Sequence, residues 1–376
     1  MDLTYSEDQT LLSESIARFI QNDYDFETRR RIAASEHGLD PAAWAQFADL
    51  GWLGIPFSEA EGGLGADPVA VMILMEQFGR GLVVEPYVPS ILLGGRLIAA
   101  AGNAAQRERY LGDLIAGRTQ LAFAHGEPGG RYALAHVATR AEPGAGGFTL
   151  SGQKAVVHNA AAADFLVVSA RSSGEPEASE GISLFVVPRG AAGLSIRAYG
   201  TIDGLRAGEV ALDGVEVGEE AQLGVPGEAF PVIEGVTDTA VAAVCAEAVG
   251  IMDRMREMTL DYLKTRQQFG RPLGSFQVLQ HRAVDMLIAC EEARSLALMA
   301  TLKLDGSAAE RRRAVSAVKA HVGNAGRKLG QEAVQLHGGM GVTDELALGH
   351  YFKRLSMIDT FFGDTAHHLD RFARNS

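Results

Sequence analysis

The sequence predicts an α+β fold in three parts: an N-terminal α-helical domain over residues 1–118, a middle antiparallel β domain over 119–228 and a C-terminal four-helix bundle over 229–376. Two changes of hydrophobic period along the chain predict this order. Apolar residues follow a helical period in the first third, alternate in short stretches in the second, and return to the helical period from about residue 230.

The N-terminal helices begin with capping residues. Ser6 and Gln9 have the spacing of a capping box ahead of the apolar face of "LLSESIARFI". Asp40 and Asp67 each precede a proline, which favours the first position of a helix. The segment "NAAQRERYLGDLIAG" predicts a further helix that ends near residue 117.

The middle domain shows short, often alternating stretches separated by Gly, Pro and Ser, which is typical of antiparallel strands joined by turns. The predicted strands cover residues 119–127, 132–141, 147–152, 154–159, 164–171, 181–188, 194–200 and 209–217.

The C-terminal third contains long helical segments at 236–265, 275–304, 308–337 and 345–373. Long helices with short connections favour an antiparallel four-helix bundle. No glycine loop follows a strand with the spacing of a dinucleotide-binding or phosphate-binding motif, so a doubly wound nucleotide-binding fold is not expected.

Composition favours a soluble, cytoplasmic protein. Of the 376 residues, 47% are hydrophobic and 22% are charged, and the net charge of −13 disfavours binding to nucleic acid or to an anionic membrane. We expect no signal peptide, because no basic N-terminal region precedes an apolar core, and no membrane span, because no apolar run reaches about 18 residues. Two cysteines in a chain of this length favour a reducing compartment.

A few features are candidate functional residues before any family is considered. His125 and His158 each end a predicted strand, where ordinary turn histidines are also common, and the ten histidines show no metal-ligand spacing, so no metal is predicted. The glycines of "QLHGGMG" (335–341) either end a helix or let backbone amides approach a phosphate. Glu247 is the only charge among the fourteen residues "TAVAAVCAEAVGIM", so it is paired, exposed on a narrow stripe or kept for function.

Five stretches, in the right order and with the right spacing, resemble the acyl-CoA dehydrogenase family along essentially the whole chain. "RQQFGRPLGSFQ" (266–277) resembles the family's R-x-x-F-G…F-Q segment, and "QLHGGMGVTDELALGHYFKR" (335–354) its C-terminal signature. "HGEPGG" (125–130), "LSGQKAVVHNAAAADFLVV" (150–168) and "GLRAGEVALDGVEV" (204–217) are similar to its β-domain motifs. The resemblance implies a helical–β–helical fold, FAD as the cofactor and α,β-dehydrogenation of acyl-CoA thioesters.

The resemblance also assigns residues to the FAD site. Arg266 is expected to neutralise the diphosphate and Phe269 to line the adenosine. Gln277, Gln335, Gly338 and Gly339 are expected at the same end, typically from a neighbouring subunit. The residues expected to flank the isoalloxazine and ribityl groups are Phe123, His125, Gly126, Val156, Val157, His158, Thr365 and His367.

Two departures from the family pattern affect the middle domain. Many members have Trp-x-Thr where this chain has Val156-Val157-His158, and Gly-Ser-Asp where it has Arg131-Tyr132-Ala133. We expect backbone contacts with the flavin to survive these changes. Side-chain contacts there, and the wall of the acyl-CoA pocket near Tyr132, are expected to differ.

The glutamate that usually acts as the base is missing. The family's Tyr-Glu-Gly-Thr corresponds to Phe362, Gly363, Asp364 and Thr365, so a glycine holds the position of the base, although its N–H can still donate to a thioester carbonyl oxygen. Asp364 is either a second candidate for the base or the N-cap of the following helix.

A minority of the family carries the base on the first long helix of the bundle, at the position of Ala240 here. Glu247 lies seven residues further, about 20° from the same direction and about 10 Å along the axis. Its "AEAVG" setting resembles a bacterial branch that acts on dicarboxylyl- and steroid-side-chain CoA esters. Glu247 is therefore predicted as the base, for a bulky acyl group.

The prediction is a FAD-dependent acyl-CoA dehydrogenase that forms the trans-2-enoyl-CoA. The alternative is a catalytically silent partner subunit of a heteromeric dehydrogenase, and an acyl-CoA oxidase is a third hypothesis. The expected partners are the acyl-CoA substrate, an electron-transfer flavoprotein and further subunits in a homotetramer or an α2β2 heterotetramer.

Overall fold

The computed structural model describes residues 4–144 and 146–375. The helices are α1 (Glu7–Asp23), α2 (Phe26–Ala34), α3 (Pro41–Asp49), α4 (Pro68–Gly81), α5 (Arg96–Ala101), α6 (Ala104–Ile115), α7 (Phe230–Thr265), α8 (Gln277–Leu302), α9 (Ala308–His337), α10 (Ala347–Thr360) and α11 (Thr365–Arg374). The strands are β1 (Leu121–Ala124), β2 (Arg140–Gly144), β3 (Gly147–His158), β4 (Phe165–Arg171), β5 (Ile182–Pro188), β6 (Leu194–Gly200), β7 (Arg206–Gly218), β8 (Gln222–Leu223), β9 (Gln267–Gln268) and β10 (Arg271–Pro272).

The chain divides into two compact units. Met1–Arg31, Pro68–Val83 and Val241–Ser376 make up the first, and Ile32–Asp67 and Val84–Ala240 the second. The first unit is helical, and in it α8, α10 and α11 each pack against α9. The second contains the sheet and a buried π-helical segment, Tyr87–Gly95, which packs against β1.

The predicted helix starts are confirmed at two places. Ser6 and Gln9 cap each other at the start of α1, where the Gln9 N–H donates to the Ser6 hydroxyl at 3.2 Å. Asp40 caps α3 by accepting from the Ala42 N–H at 2.9 Å, with Pro41 as the first helical residue.

The predicted helix at 345–373 is wrong as a single element. It is two helices, α10 and α11, separated by Phe361–Asp364. Phe362 and Gly363 have φ angles of +61° and +115°, which no right-handed helix accommodates.

The sheet of the second unit has the order β6-β7-β3-β2-β4-β5-β8, and β1 pairs with β4. Most pairs are antiparallel as predicted, but β1 runs parallel to β4. The strands predicted at 147–152 and 154–159 are one strand, β3. One face of the sheet buries an apolar core that includes Leu150, Leu166 and Phe185.

The strand predicted at 132–141 is wrong for residues 132–139, which form a loop. Two successive turns begin this stretch, closed by hydrogen bonds from the Ala133 N–H to the Gly130 carbonyl oxygen (3.0 Å) and from the His136 N–H to the Ala133 carbonyl oxygen (3.0 Å). The positive φ angles of Gly129 and Arg131 interrupt the extended conformation just before it.

Among the described residues, one helix, α7, is long and apolar enough to cross a membrane. The most apolar window of α7 is 89% buried within the protein, as in the core helix of a soluble protein.

Candidate active site

A cavity of about 580 Å³ in the first unit brings together four residues predicted at one end of the cofactor. Arg266 follows α7, and Gln335 lies in the last turn of α9 ahead of Gly338 and Gly339. A Cβ added to either glycine would meet no atom within 4 Å, so the space above this turn is open. Among the described residues Arg266 pairs with no carboxylate, which leaves its guanidinium available for an anion.

Phe269 and Gln277, predicted at the same end, do not line this cavity. Phe269 lies at the tip of the β9–β10 hairpin with φ +53° and is 89% exposed. Gln277 is the exposed first residue of α8. The Phe269 ring lies edge-on to the Phe276 ring, with centroids 6.1 Å apart.

The cavity also contains residues that sequence reasoning missed. The rings of Tyr262 and His337 stack with centroids 4.5 Å apart. Burial lowers the pKa of His337, and its Nδ1 lies 2.8 Å from the Ala333 carbonyl oxygen. Tyr262 lies four residues before Arg266, whose N–H donates to the Tyr262 carbonyl oxygen at 2.8 Å, so helical spacing could have placed both on one side of the end of α7.

In the second unit, the two stretches predicted to flank the flavin ring lie side by side. The Ala155 N–H donates to the Gly126 carbonyl oxygen at 2.7 Å, which joins the end of β1 to β3. The pairing of β3 with β7 shifts between Lys154 and Val157, and in this irregularity Val156 has φ +53° and is 51% exposed. Such irregularities turn side chains out of a sheet and are frequent beside active sites.

The other residues predicted to flank the flavin in this unit lie close to Val156 and Gly126 in the sequence. Val157 is buried and His158 is half-buried. At the end of β1, the rings of Phe123 and His125 stack at 5.0 Å.

A buried hydrogen-bond network holds the end of β1. The Lys154 ammonium donates to Glu127 (2.6 Å) and to the Ser169 hydroxyl (3.0 Å), whose oxygen lies 2.9 Å from Nδ1 of His125. Burial lowers the pKa of Lys154 to about 8, against the opposing charge of Glu127. Burial, reinforced by the charge of Lys154, lowers the pKa of His125 to about 3, so that its ring is neutral at physiological pH.

In the first unit, the segment between α10 and α11 contains the position of the usual base. Asp364 is the N-cap of α11 and accepts from the His367 N–H at 2.9 Å. The Gly363 N–H makes a long hydrogen bond to the Thr360 carbonyl oxygen (3.4 Å). The N-cap, one of the two alternatives for Asp364, is therefore present.

Two residues predicted to contact the flavin belong to the same helix start. The Thr365 hydroxyl donates to Asp359 at 3.0 Å. His367 is half-buried, and burial, followed by the charge of Arg371, lowers its pKa.

Two buried side chains, Lys319 and His368, hold the segment between α10 and α11 through hydrogen bonds to backbone carbonyl oxygens. The Lys319 ammonium donates to the carbonyl oxygens of Gly363 (2.6 Å) and Asp359 (3.0 Å). His368 donates from Nε2 to the Phe362 carbonyl oxygen (3.1 Å), and burial, followed by the charge of Lys319, lowers the pKa of His368 to about 3. No local sequence signal pointed to Lys319, because its partners lie 40 or more residues away.

Glu247 is a paired, buried carboxylate. It is 5% exposed, and its two oxygens accept from Nε and Nη2 of Arg354 on α10 at 2.6 and 2.7 Å. A bidentate pair of this kind fixes the orientation of the carboxylate relative to the guanidinium group. Helix α4 crosses at this point so closely that a Cβ on Gly79 would lie 2.0 Å from the Glu247 carbonyl oxygen.

Sequence models of the three acyl-CoA dehydrogenase domains match the chain in order. The N-terminal domain matches residues 6–118, the middle domain 122–215 and the C-terminal domain 230–376. The chain belongs to the acyl-CoA dehydrogenase family. It is therefore an oxidoreductase and a flavoprotein of a FAD-dependent family, and its predicted fold class, with helical N-terminal, sheet middle and helical C-terminal parts, is confirmed.

Three relatives show how the chain compares with known proteins. It is 28% identical to mitochondrial isovaleryl-CoA dehydrogenase of Arabidopsis thaliana over 93% of this chain and 87% of that protein. It is 29% identical to L-prolyl-[peptidyl-carrier protein] dehydrogenase of a Serratia species, over 93% of this chain and 91% of that protein. A solved variant of the Tcur3481–Tcur3483 steroid acyl-CoA dehydrogenase is 30% identical, with a TM-score of 0.87, over 98% of this chain and 97% of that one.

The residues of the first-unit cavity fit one end of FAD. An unpaired guanidinium suits a diphosphate, and the open space above Gly338 and Gly339 lets a ligand approach the backbone closely. The glycine turn therefore has room for the second of its two predicted roles, alongside ending α9.

Proposed function

We propose that this acyl-CoA dehydrogenase oxidises a bulky acyl-CoA thioester to the trans-2-enoyl-CoA and uses Glu247 as the base. The observation that carries the proposal is the buried carboxylate of Glu247, oriented by Arg354, in a chain with glycine at the usual position of the base. Asp364 is the second candidate, with one oxygen already used as the cap of α11.

Glu247 takes the α-proton, which the adjacent thioester carbonyl makes weakly acidic. To do so, one of its oxygens exchanges its hydrogen bond with Arg354 for the substrate. The chemistry that a bound FAD would supply is that of an acceptor for the hydride that leaves Cβ. Negative charge develops on the thioester oxygen, and the proposed donor to it is the Gly363 N–H, whose bond to Thr360 is long and easily exchanged.

The cofactor residues are those carried over from the family. In the first unit Arg266 binds the diphosphate, with Gln335 and the glycines 338 and 339 beside it. The other FAD contacts proposed in the first unit are Phe269, Gln277, Thr365 and His367. Those proposed in the second unit are Phe123, His125, Gly126, Val156, Val157 and His158.

A bulky acyl group, such as a steroid side chain or a dicarboxylic chain, follows from the displaced base. A base two helical turns beyond the family's helix position suits an α-carbon that is displaced in the same direction. The 30% identity to a steroid acyl-CoA dehydrogenase supports this substrate class. An electron-transfer flavoprotein as the acceptor and a cytoplasmic location belong to the same proposal.

A second candidate function is a catalytically silent subunit that completes the flavin site of a partner chain. Gly363 favours it, because the chain lacks a carboxylate at the usual position. The designation Tcur3481–Tcur3483 joins two names, which supports a heteromeric assembly as the alternative to a homotetramer.

The test begins with the FAD content of the chain purified alone and continues with Glu247→Gln. We expect about one FAD per chain in both proteins, and loss of flavin reduction by a steroid-side-chain CoA ester in the variant. Removing a general base slows proton abstraction by about 10²- to 10⁴-fold. Anaerobic stopped-flow absorbance measures the reduction.

Asp364→Asn is the matched control, since it removes the other candidate carboxylate and should leave reduction intact. Normal reduction in Glu247→Gln together with loss in Asp364→Asn would assign the base to Asp364. A chain that binds FAD only when co-expressed with a homologue is the silent or heteromeric subunit. Faster reduction by hexanoyl-CoA than by the steroid ester would reject the bulky substrate.

A further inference from the structure

Arg131 adopts a backbone conformation that normally belongs to glycine. Its φ is +47°, and it is the first central residue of the turn that the Ala133 N–H closes on the Gly130 carbonyl oxygen (3.0 Å). Positive φ at this position of a turn favours Gly, Asn or Asp, and a long side chain there costs free energy.

Arg131 belongs to the segment 130–139, which runs from the turn at Gly130 through the loop before β2. A buried carboxylate, that of Glu127, holds the C-terminal end of this segment. Glu127 accepts from the N–H groups of Ala138 (2.7 Å) and Thr139 (3.0 Å), and it also accepts from Lys154. Burial by itself would raise the pKa of Glu127, but the charge of Lys154 and these hydrogen bonds together outweigh it and lower the pKa. The anchor is therefore a charged group with both oxygens in use.

A buried arginine holds the same loop from a second direction. Arg171, 4% exposed, donates from Nε to the Val137 carbonyl oxygen (3.1 Å) and from Nη2 to that of Ala135 (3.0 Å). Its other three N–H groups bind the carbonyl oxygens of Pro176, Ala178 and Glu180 in the segment after β4. With all five donors used, Arg171 fixes the backbone at Ala135 and Val137, directly after the turn that contains Arg131.

The side chain of Arg131 is exposed and, within residues 4–144 and 146–375, makes no hydrogen bond or ion pair. The segment after β4 carries Glu175, Glu177 and Glu180, but Glu177 lies 3.5 Å from His136 instead. A rigid loop thus holds a cation in an unfavourable conformation without any internal contact that offsets the strain. Strain kept in this way is typical of a residue that binds something outside the chain.

We infer that Arg131 is a specificity residue that binds an anionic group of the acyl-CoA substrate. The chemistry is that of a guanidinium with a carboxylate or a phosphate, and both occur in acyl-CoA thioesters: a carboxylate in a dicarboxylic acyl chain and phosphates in CoA. The inference rests on the proposed function in taking an acyl-CoA as the ligand, but it does not depend on which residue is the base.

The experiment compares Arg131→Gly with the wild type in two measurements on the FAD-loaded protein. Thermal unfolding reports the role of Arg131 in the fold, and isothermal titration with free CoA, hexanoyl-CoA and adipyl-CoA reports binding without turnover. Glycine fits the observed φ, so the unfolding temperature should stay level or rise. Loss of a charge-assisted hydrogen bond should weaken binding by roughly tenfold to a hundredfold.

The three probes separate the two sources of the anion. Weaker binding of adipyl-CoA alone assigns Arg131 to a carboxylate on the acyl chain, and equal weakening of all three assigns it to a CoA phosphate. Arg140→Gln, which removes an exposed charge from β2, should leave all three affinities unchanged. Unchanged binding of every probe in Arg131→Gly, a lower unfolding temperature without a change in binding, or no binding of the probes to the wild type would overturn the inference. Failure of Glu247 as the base would affect none of these titrations.

Discussion

At position 363 the backbone limits which side chains are possible. The φ of Gly363 is +115°, and a Cβ there would lie 2.5 Å from Cδ2 of His367 and 2.9 Å from Nε2 of His368. We therefore expect that Gly363→Glu does not restore the usual base. It should lower the free energy of unfolding by about 2 to 4 kcal/mol, measured by chemical denaturation, because both the conformation and the contact are unfavourable.

Gly214→Ala separates the two causes. Gly214 also has positive φ (+64°), but a Cβ there would meet no atom within 4 Å, so its substitution should cost only about 1 kcal/mol. If Gly363→Glu unfolds at the same denaturant concentration as the wild type and gains flavin reduction in a Glu247→Gln background, the steric argument is wrong.

The crossing of α4 and α7 depends on two glycines. A Cβ on Gly79 would lie 2.0 Å from the Glu247 carbonyl oxygen, and one on Gly250 would lie 1.9 Å from the Glu76 carbonyl oxygen. We expect Gly79→Ala to destabilise the protein by about 2 to 4 kcal/mol, since neither backbone can yield without moving its helix. The shift of the denaturation midpoint at constant slope measures it.

Gly112→Ala is the matched control for the helix crossing. Gly112 lies in α6, where a Cβ would meet no atom within 4 Å, so alanine should stabilise that helix by about 0.5 to 1 kcal/mol. If Gly79→Ala changes the free energy of unfolding by no more than Gly112→Ala does, then α4 and α7 can move apart at little cost.

The helices and most strands were predictable because their hydrophobic period is a local property. The break at Phe361–Asp364 was predictable only in part, because Asp364 was a candidate N-cap but the apolar period continues through the break. The contact of Lys319 with the Gly363 carbonyl oxygen comes from the fold and has no local sequence signal. The loop at 132–139 was missed for the same reason: residues such as Val137 alternate as in a strand, but Glu127 and Arg171 hold the chain in turns.

The candidate site was predictable only in part. The first-unit cavity contains Arg266, Gln335, Gly338 and Gly339, all of which have family motifs around them. The partner of Glu247 could not be predicted, because Arg354 lies 107 residues away and only the fold brings the two together. A lone charge on an apolar helix indicates that a partner exists, but it does not identify that partner.

For the molecule as a whole, buried neutral histidines determine how stability changes with pH near neutrality. The pKa values of His125 and His368 are lowered to about 3 in the folded state, whereas the unfolded chain has the ordinary value of 6.5. As the pH falls below 6.5, these histidines become protonated in the unfolded state but stay neutral in the folded state. The unfolded state is therefore stabilised, and the free energy of unfolding falls. The burial that lowers the pKa values of His337, His350 and His367 acts with the same sign.

Between pH 7.5 and 5.5 the two most shifted histidines should together remove about 2 to 3 kcal/mol of unfolding free energy. Urea denaturation at several pH values measures this loss. Glu127 does not contribute in this range, because its lowered pKa affects stability only below its ordinary value of 4.5.

His368→Leu should reduce the loss by about 1 kcal/mol, because one proton-binding difference between the folded and unfolded states is removed. His37→Gln, at an exposed position, should leave it unchanged. If the wild type is equally stable at pH 5.5 and 7.5, the rings of His125 and His368 are not buried as neutral groups. The hydrogen bonds of these rings at the end of β1 and before α11 then do not hold in solution.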